Sequence, residues 1–546
     1  MSELTEQNLT RQQAEQEMAC LRKIYASVRL LDPKMLAEEP CYPPWKNVHP
    51  CTSCVGREAM AGKCQCSKLE TLGSSLYQVT ARYVEVDGKP YVMEMILPLD
   101  ASARSTLNSN ELIYRDALTG AYLELKNSSA YGTELMYGTI EYLAQHWDYT
   151  AESIQEKISQ FNYIDDNVQN RFTLIYTQLY KIILSVNAIL EQIDAKQDVF
   201  EPGMYEIIKG ECLAMRAYCH FDLLRLFGPM PTRTTASKIL PYVTKVGIEY
   251  NTHHSYQEFT ELLENDLTDA GKLLYPFDPV IPAGEDREEL NLSLSAENFL
   301  TARQIRFNYY AVKAMEARFY LWLGGDDNKA KAYDCATEVI EAQDSEGKTV
   351  FTLGSTDNIA KEDYSFSTEH ILAIYDYNLK DNADNTFTTE TSYSKARNVL
   401  SPDLFPSGTT DIRFISLWKE YTAGNGSVAN STVKFIQKEG SEINQLPLIR
   451  LVEMYFIAME CGTLSEANRL YEEFCLSRDI ELVTLQDEAR LEETLIKEYN
   501  KEFYAEGQAF YAFKRLAVED ILWAEFPGNE ESYVVPLPLT EINYGN

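Results

Sequence analysis

The sequence of 546 residues predicts a mainly α-helical protein built from paired helices, preceded by a small α+β segment. After residue 116, apolar residues recur at three- and four-residue steps, which is the spacing of one buried helix face. Strand-like alternation is confined to a short stretch near residue 87. Six of the 11 cysteines fall in the first 66 residues. These observations predict two domains, residues 1–115 and residues 116–546.

The first domain is predicted to contain a helix, a loop and a hairpin. Apolar side chains spaced about 3.6 residues apart predict a helix over residues 1–31. Four prolines in residues 38–66 predict an irregular loop. Residues 77–97 alternate apolar and polar side chains on both sides of Asp87-Gly88, which is typical of two strands joined by a tight turn.

The second domain is predicted to consist of helix pairs. Gly228-Pro229 ends one long helix, and the Ser255 hydroxyl begins another, with Glu258 placed to complete a capping box. The predicted helices are residues 172–193, 205–227, 255–274, 296–323, 328–343, 448–461, 465–477 and 487–516. Paired helices of these lengths are typical of an α-solenoid core.

Residues 343–441 interrupt the helical pattern with Gly, Asn, Ser, Thr and Asp clusters between short aromatic runs. Irregular segments of this length in a compact domain usually carry function or are disordered. We therefore expect binding residues here rather than in the helices.

Charge and hydropathy limit the partners. The 83 acidic residues exceed the 49 Lys and Arg residues, giving a formal charge of −34 that repels nucleic acid. The absence of any run of eighteen apolar residues predicts no transmembrane helix. The N-terminus has no apolar stretch of a secretion signal and no lipidation site, so the chain as written is expected to be cytoplasmic.

A cysteine group near the N-terminus is a candidate structural zinc site. Cys51, Cys54, Cys64 and Cys66 lie in a sixteen-residue stretch of a proline-rich loop. Such a loop cannot stabilise itself, and a bound zinc ion would stabilise it. The alternative is a set of reduced thiols in a flexible loop. No other cofactor is expected.

The sequence gives no sign of an enzyme. The six histidines form no HExxH motif, and the chain contains no GxSxG elbow and no Walker P-loop. The alternative is a glycan-cleaving enzyme, which needs two carboxylates on opposite sides of a cleft. Among 83 acidic residues, the sequence does not identify such a pair.

Six segments in order carry a resemblance to the SusD/RagB family of nutrient-binding outer-membrane lipoproteins. They are ALTGAYLELKNSSAYGTELMYGTIEYLAQHW, KGECLAMRAYCHFDLLRLFGPMP, YQEFTELLENDLTDAGKLL, NYYAVKAMEARFYLWLGGDDNKAKAYDCATEVI, LPLIRLVEMYFIAMECG and EYNKEFYAEGQAFYAFKRL, beginning at residues 117, 209, 256, 308, 446 and 498. The resemblance covers residues 116–546. It implies the SusD-like α-helical fold with tetratricopeptide-like helix pairs.

Residues 1–122 resemble instead the PAS-like sensory segment that precedes GGDEF domains in bacterial signalling proteins. The hairpin YQVTARYVEVDGKPYVMEMI and the lead-in NELIYRDALTGAY carry this resemblance. DALTGAY, residues 116–122, suits both families. We hypothesise that the chain is a chimera joined within these residues, an artefact of gene assembly; a natural fusion is the alternative.

The SusD/RagB resemblance implies a non-catalytic protein of the cell outer membrane that binds an oligosaccharide and delivers it to a SusC-like TonB-dependent transporter. The alternatives are peptide binding, as in RagB-like proteins, and a cytoplasmic sensory fragment. Sugars stack their C–H faces on aromatic rings, so an aromatic platform on loops is expected. The candidate ligand-binding residues are Trp147, Tyr149, Tyr375, Tyr377, Trp418 and Tyr421.

Overall fold

The computed structural model describes residues 8–11, 14–15, 18, 27–34, 55–63, 65–72, 75–98, 111–234, 237–247, 251–284, 299–388, 393–406, 408–422, 428–438, 441 and 443–544. These residues form two compact units. The first comprises residues 1–121, 185–209 and 292–299, and the second comprises the remaining residues. Most of the elements are helices, which confirms the predicted mainly α fold.

The twelve strands and twenty α-helices of the described residues are numbered in chain order. The strands are β1 (Asn8–Leu9), β2 (Ser27–Leu31), β3 (Gln65–Leu72), β4 (Ser75–Val86), β5 (Lys89–Pro98), β6 (Lys238–Pro241), β7 (His253–Ser255), β8 (His370–Tyr375), β9 (Lys395–Ala396), β10 (Trp418–Thr422), β11 (Val428–Thr432) and β12 (Gln445–Arg450). The helices are α1 (Val55–Gly62), α2 (Leu112–Leu125), α3 (Thr139–Leu143), α4 (Ile154–Ser159), α5 (Asp166–Ile193), α6 (Met204–Phe227), α7 (Tyr256–Leu274), α8 (Val280–Ala283), α9 (Tyr309–Leu323), α10 (Asp326–Ile340), α11 (Thr356–Ala360), α12 (Leu379–Phe387), α13 (Arg397–Val399), α14 (Ile412–Ser416), α15 (Leu451–Cys461), α16 (Leu464–Arg478), α17 (Glu488–Glu502), α18 (Ala509–Leu516), α19 (Glu530–Tyr533) and α20 (Leu539–Tyr544).

The first unit contains a five-stranded sheet in the order β1-β4-β5-β2, with β3 also pairing with β4. β4 and β5 form the predicted hairpin, with Val86 opposite Lys89. Asp87 and Gly88 have φ values of 50° and 71°, the left-handed conformation that a two-residue hairpin turn requires. The hairpin prediction is therefore confirmed.

Two other predictions for the first unit are wrong. A single helix over residues 1–31 is ruled out because β2 pairs antiparallel with β5, with Ser27 opposite Ile96. The spacing of Val28 and Leu31 suits a helix, yet both are buried against the sheet. The predicted loop over residues 38–66 contains α1 and the start of β3.

Helix α2 continues through the predicted boundary between residues 115 and 116. Within the described residues 111–125 the backbone therefore shows no break at this point. The division into two domains there stays a prediction.

In the second unit, most predicted helices are found close to their predicted ends. α5, α6 and α7 match, and Ser255 and Glu258 form the predicted capping box. Two predictions are wrong in their extent. The helix predicted from residue 296 begins at Tyr309, after Asn308 caps it through the backbone N–H of Ala311. The helix predicted over residues 487–516 is two helices, α17 and α18.

Two antiparallel helix pairs illustrate the paired architecture. α9 and α10 are joined by Gly324 and Gly325, whose φ values of 69° and 80° favour glycine. α15 and α16 are joined through Gly462, and α10 packs on α15. Arg318 of α9 binds Glu453 of α15 through two hydrogen bonds of 2.6 Å.

One helical segment, Asp166–Val199, is long and apolar enough to cross a membrane by length and composition alone, which the search for apolar runs did not predict. Most of its apolar side chains, including Ile175, Leu179, Ile182 and Val186, are buried within the protein, and Leu174 is exposed. The segment therefore has the character of a core helix.

A buried ionic network ties the C-terminal helices to the strands β8 and β12. The carboxylate of Glu502 accepts hydrogen bonds from Arg413, Arg450 and Arg478 at 2.9 to 3.1 Å. Glu369 binds both Arg450 and Arg478, at 2.8 and 2.6 Å. All five side chains are almost fully inaccessible, so each charge depends on its partners.

Candidate functional site

Trp147, one of the six aromatic residues predicted to bind ligand, is a core residue. Its ring is only 1% exposed, and its Nε1 donates a hydrogen bond of 2.8 Å to the backbone oxygen of Tyr137. The structure contradicts its predicted role as a platform, because a ring with no exposed face cannot stack on a ligand. The sequence signal was misleading because an aromatic residue after a helical motif suits either role.

Trp147 instead packs on Tyr504, the tyrosine that also contacts Trp418, the second predicted binding residue. Its ring packs edge-to-face on Tyr504, with centroids 5.0 Å apart, and Trp418 packs on the same tyrosine at 4.7 Å. Tyr504 also stacks on His146 at 4.1 Å. Trp418 is half-buried, so it is fixed from below while part of its ring remains at the surface.

The other four predicted aromatics are at or near the surface. Tyr149 is 39% exposed and follows Trp147 by two residues. Tyr421 is half-buried on β10, with the ammonium of Lys419 5.6 Å from its ring centroid. Tyr375 ends β8 half-buried, and Tyr377, in the turn before α12, is 75% exposed.

A three-stranded antiparallel sheet in the order β10-β11-β9 carries Trp418 beside several polar residues. Trp418 lies opposite Thr432, Glu420 opposite Asn430, and Asn430 opposite Lys395. Directly opposed residues share a face, as do residues two apart on one strand. We call this set of residues the Trp418 face: Trp418, Glu420, Asn430, Thr432 and Lys395.

Asn430 occupies the centre of the Trp418 face. It is only 8% exposed, and its side-chain Nδ2 has no hydrogen-bond partner within the part of the chain that the structure describes. A buried amide donor without an acceptor is costly to the folded state.

Lys395, beside Asn430, already has its partners. Its Nζ donates to the backbone oxygen of Gln145 at 3.0 Å and lies 3.3 Å from the carboxylate of Asp148. Burial lowers the pKa of Lys395, while Asp148 acts in the opposite direction. The same Nζ is 4.2 Å from the ring centroid of Trp523. The positive charge of Lys395 is therefore compensated by groups within the protein.

Trp523 lies in a compact loop, Glu519–Gly528, which we call the Trp523 loop. The backbone N–H of Gly528 closes it with a hydrogen bond of 2.8 Å to the oxygen of Glu519. A Cβ on Gly528 would lie 2.1 Å from the oxygen of Val518, so only glycine permits this closure. The indole Nε1 of Trp523 donates to Asp403 at 2.9 Å.

Asp148, beside Tyr149, contacts the sheet, and Gln160 contacts the Trp523 loop. The carboxylate of Asp148 accepts the backbone N–H of Ala396 at 2.7 Å, and Gln160 donates to Glu525 of the Trp523 loop at 3.0 Å. Burial, followed by the charges of Glu525, Glu156 and Asp148, raises the pKa of Tyr149. The charges that act on its phenol are thus negative.

We call the Trp418 face, the Trp523 loop and the Asp148-Tyr149 segment together the candidate surface. It combines partly exposed aromatic rings, a buried amide donor and several carboxylate acceptors. Such a surface is suited to a hydroxylated ring, whose C–H faces stack on indole and whose hydroxyls donate to carboxylates.

Several residues of the candidate surface were not predicted from the sequence. Lys395, Asp403 and Asn430 are polar residues in the irregular zone, where nothing in the sequence separates them from their neighbours. Trp523 was also missed, although the Pro-Gly pair at residues 527–528 gave a usable signal of an aromatic residue in a loop.

Three of the four cysteines of the predicted zinc site, Cys51, Cys54 and Cys64, lie outside the described residues. Cys66 lies on β3 and packs against the buried cluster that contains Val79. Among the residues that the structure describes, no group of three His, Cys, Asp or Glu side chains is arranged to hold a metal. The zinc site stays a prediction.

Residues 97–277 match the SusD-like family described as "Starch-binding associating with outer membrane". The match begins upstream of the predicted domain boundary at residue 115. Among curated proteins, none matches the chain.

Solved structures share the fold over most of the chain. A SusD-like carbohydrate binding protein from Bacteroides vulgatus is 17% identical, with a TM-score of 0.59 over 79% of this chain and 96% of that protein. A SusD superfamily protein from Bacteroides fragilis is 15% identical, with a TM-score of 0.58 over 80% and 98% of the two chains. A SusD homolog from Bacteroides thetaiotaomicron is 17% identical, with a TM-score of 0.55 over 80% and 93%. Residues 97–277 therefore match the SusD-like family, and the chain shares the fold of SusD superfamily structures over about four fifths of its length.

Proposed function

We propose that this protein binds a glycan and does not cleave it. The SusD fold over 79% of the chain carries this proposal, together with the family's description as starch-binding. One solved structure with this fold is described as a carbohydrate binding protein. The candidate surface supplies the chemistry that such a role requires, because it offers aromatic rings and hydrogen-bonding groups side by side.

Within this proposal the contact residues are drawn from two sources. Tyr149, Trp418 and Tyr421 remain from the sequence prediction, and we add Trp523 on the basis of its position in the Trp523 loop. Tyr375 and Tyr377 remain proposed as a separate contact near the end of β8. Trp147 is left out because it is buried.

We further propose that the protein acts at the cell outer membrane and passes its glycan to a SusC-like TonB-dependent transporter. The family's description as associating with the outer membrane supports the location. Membrane fractionation of the native organism tests the location, and co-purification of a TonB-dependent barrel with the protein tests the partner. Recovery of the protein in the soluble fraction alone would favour the cytoplasmic sensory alternative.

Binding without cleavage is tested by incubating the purified chain with immobilised starch, mannan, xylan and β-glucan. The proposal predicts retention on at least one polysaccharide and no new reducing ends after prolonged incubation. A casein-derived peptide mixture is the matched alternative ligand. Retention of peptides with no retention on any polysaccharide would replace glycan by peptide, and the release of reducing ends would show an enzyme.

A further inference from the structure

Lys395 is the residue at which the three parts of the candidate surface meet. It lies on β9 within the Trp418 face, and its side chain is only 7% exposed. Its Nζ donates to the backbone oxygen of Gln145 at 3.0 Å and lies 3.3 Å from Oδ1 of Asp148. The same atom lies 4.2 Å from the ring centroid of Trp523. One ammonium group therefore contacts both the Asp148-Tyr149 segment and the Trp523 loop.

The ring of Trp523 depends on side-chain contacts for its position. Trp523 has a φ of 66°, a left-handed conformation that costs energy in a bulky residue, so the loop backbone alone does not favour this arrangement. The hydrogen bond from Nε1 to Asp403 holds the edge of the indole, but a single bond of this kind lets the ring turn about it. The ammonium of Lys395 fixes the ring face, because a cation is attracted to the electron-rich face of indole.

The charged groups that face this ammonium, within the part of the chain that the structure describes, are carboxylates. Asp148 approaches from the segment after α3, and Asp403 from the segment between α13 and α14. Glu420 lies farther away, across the sheet on β10. Burial lowers the pKa of Lys395, and Asp148 and Asp403 oppose this effect. The side chain therefore loses its proton at a lower pH than an exposed lysine does.

From this geometry we infer that Lys395 is a positioning residue of the proposed glycan site, whose positive charge holds the Trp523 ring beside the Trp418 face and whose deprotonation releases the ring. The inference rests on the proposed function and adds a control of the same site by protonation. A neutral amine can still donate to Gln145, but it loses its attraction for the ring and for Asp148. With the ring released, fewer molecules present the binding-competent surface, so the apparent affinity falls.

The position of the ring is measured without any ligand, by acrylamide quenching of tryptophan fluorescence in the full chain. The signal of Trp523 is the difference between each protein and the same protein carrying Trp523→Phe. At pH 7 we expect Lys395→Met, which keeps the side-chain length but not the charge, to raise the quenching constant of Trp523 about twofold. Wild type should show the same rise with increasing pH, with a midpoint below the usual lysine value of 10.5.

Lys395→Arg separates the charge from the rest of the side chain. A guanidinium keeps its charge throughout this pH range and also stacks on aromatic faces, so quenching of Trp523 in this variant should stay low and independent of pH. The phenols of the candidate surface are controlled by the same variant. Burial, followed by nearby carboxylates, raises the pKa of Tyr149 and of Tyr421 above 10.0, and any effect of their ionisation would appear equally in Lys395→Arg.

The consequence for binding is measured calorimetrically with oligosaccharides of starch, mannan, xylan and β-glucan. For the oligosaccharide that wild type binds at pH 7, we expect Lys395→Met to bind about fivefold more weakly. Lys331→Met is the matched control in the α9–α10 pair. The Nζ of Lys331 lies 4.6 Å from the ring centroid of Tyr320 and 3.2 Å from the carboxylate of Glu264, so the variant removes the same kinds of contact and should bind as wild type does.

The outcomes separate the inference from the function on which it rests. Quenching of Trp523 that is unchanged in Lys395→Met and independent of pH in wild type would overturn the inference, whether or not a glycan binds. Release of the ring with unchanged affinity would overturn it as well. If the ring is released but no oligosaccharide binds to any of these proteins, the proposed function fails, while the hold of Lys395 on the ring is supported. Should Lys395→Met not fold, the pH profiles of wild type and Lys395→Arg decide the question.

Discussion

The ammonium of Lys395 lies 4.2 Å from the centroid of the Trp523 ring, joining strand β9 to a loop 128 residues later in the chain. The contact fixes one face of the indole, and the hydrogen bond from Nε1 to Asp403 fixes its edge. A ring held in this way loses little side-chain freedom when a ligand stacks on it, which favours binding.

Removal of the Trp523 ring is predicted to weaken glycan binding without unfolding the protein. For Trp523→Ala we expect a loss of affinity of at least tenfold, because an aromatic residue at the centre of an interface contributes about 2 kcal/mol or more. Calorimetric titration with the oligosaccharide that wild type binds measures this effect. Phe277→Ala, which removes another exposed ring, is the control and should leave affinity unchanged. Equal losses in both variants would contradict a specific role for Trp523.

Trp147 is predicted to matter for stability. Trp147→Ala should lower the free energy of unfolding by about 3–5 kcal/mol, because it leaves a cavity beside Tyr504 and removes the partner of the Tyr137 carbonyl. Chemical denaturation monitored by circular dichroism measures the change. Trp147→Phe should lose less, since most of the ring volume is retained. A change below about 1 kcal/mol for the alanine variant would contradict the core assignment.

The pH dependence of stability should contain a contribution from Glu502. Its three arginine partners hold the pKa of this buried carboxyl well below its usual value of 4.5, against the opposing effect of burial. A depressed folded-state pKa gives stability that is present above pH 4.5 and lost as the pH falls toward the folded-state value. We expect Glu502→Gln to destabilise the protein by about 3–5 kcal/mol at pH 7.

The same variant should lose less stability than wild type between pH 4.5 and pH 3. Denaturant titrations of both proteins at several pH values measure the difference. Glu493→Gln, at an exposed carboxylate with Lys497 and Arg490 as partners, is the control and should leave the stability nearly unchanged. A Glu502→Gln variant as stable as wild type at pH 7 would contradict the network's role.

Lys514 differs from Glu502 because the folded protein destabilises the charged form of its side chain. Its Nζ donates to the oxygens of Leu226 and Gly228, and burial lowers its pKa well below the usual value of 10.5. The unfolded chain binds a proton that the folded chain releases, so this group raises the stability of the folded protein as the pH increases toward 10.5. Lys514→Met should therefore gain stability over wild type at pH 6 and lose this advantage at pH 10. A stability difference that is independent of pH would contradict this interpretation.

The helical scaffold was predictable because its determinants are local. The spacing of apolar residues located α5 and α6, and Ser255 with Glu258 located the start of α7. The failures occurred where tertiary pairing decided the outcome. Val28 and Leu31 suit a helix in spacing but pair with β5 in a sheet.

The candidate surface was only partly predictable. Trp418 and Tyr149 stand out by residue type, and the irregular zone of residues 343–441 was singled out as a place for binding residues. Whether a ring is buried or exposed depends on contacts across the chain, as Trp147 and Tyr504 illustrate, 357 residues apart. The unpaired amide of Asn430 depends on the register of β11 against β9 and β10, which no local pattern encodes.

The most direct test of the account is a crystal structure of the full chain with the uncharged oligosaccharide that it retains. We predict an intact sugar against Trp523 and the Trp418 face. A cleaved product in the density, or an oligosaccharide bound only at a surface remote from these residues, would contradict the account.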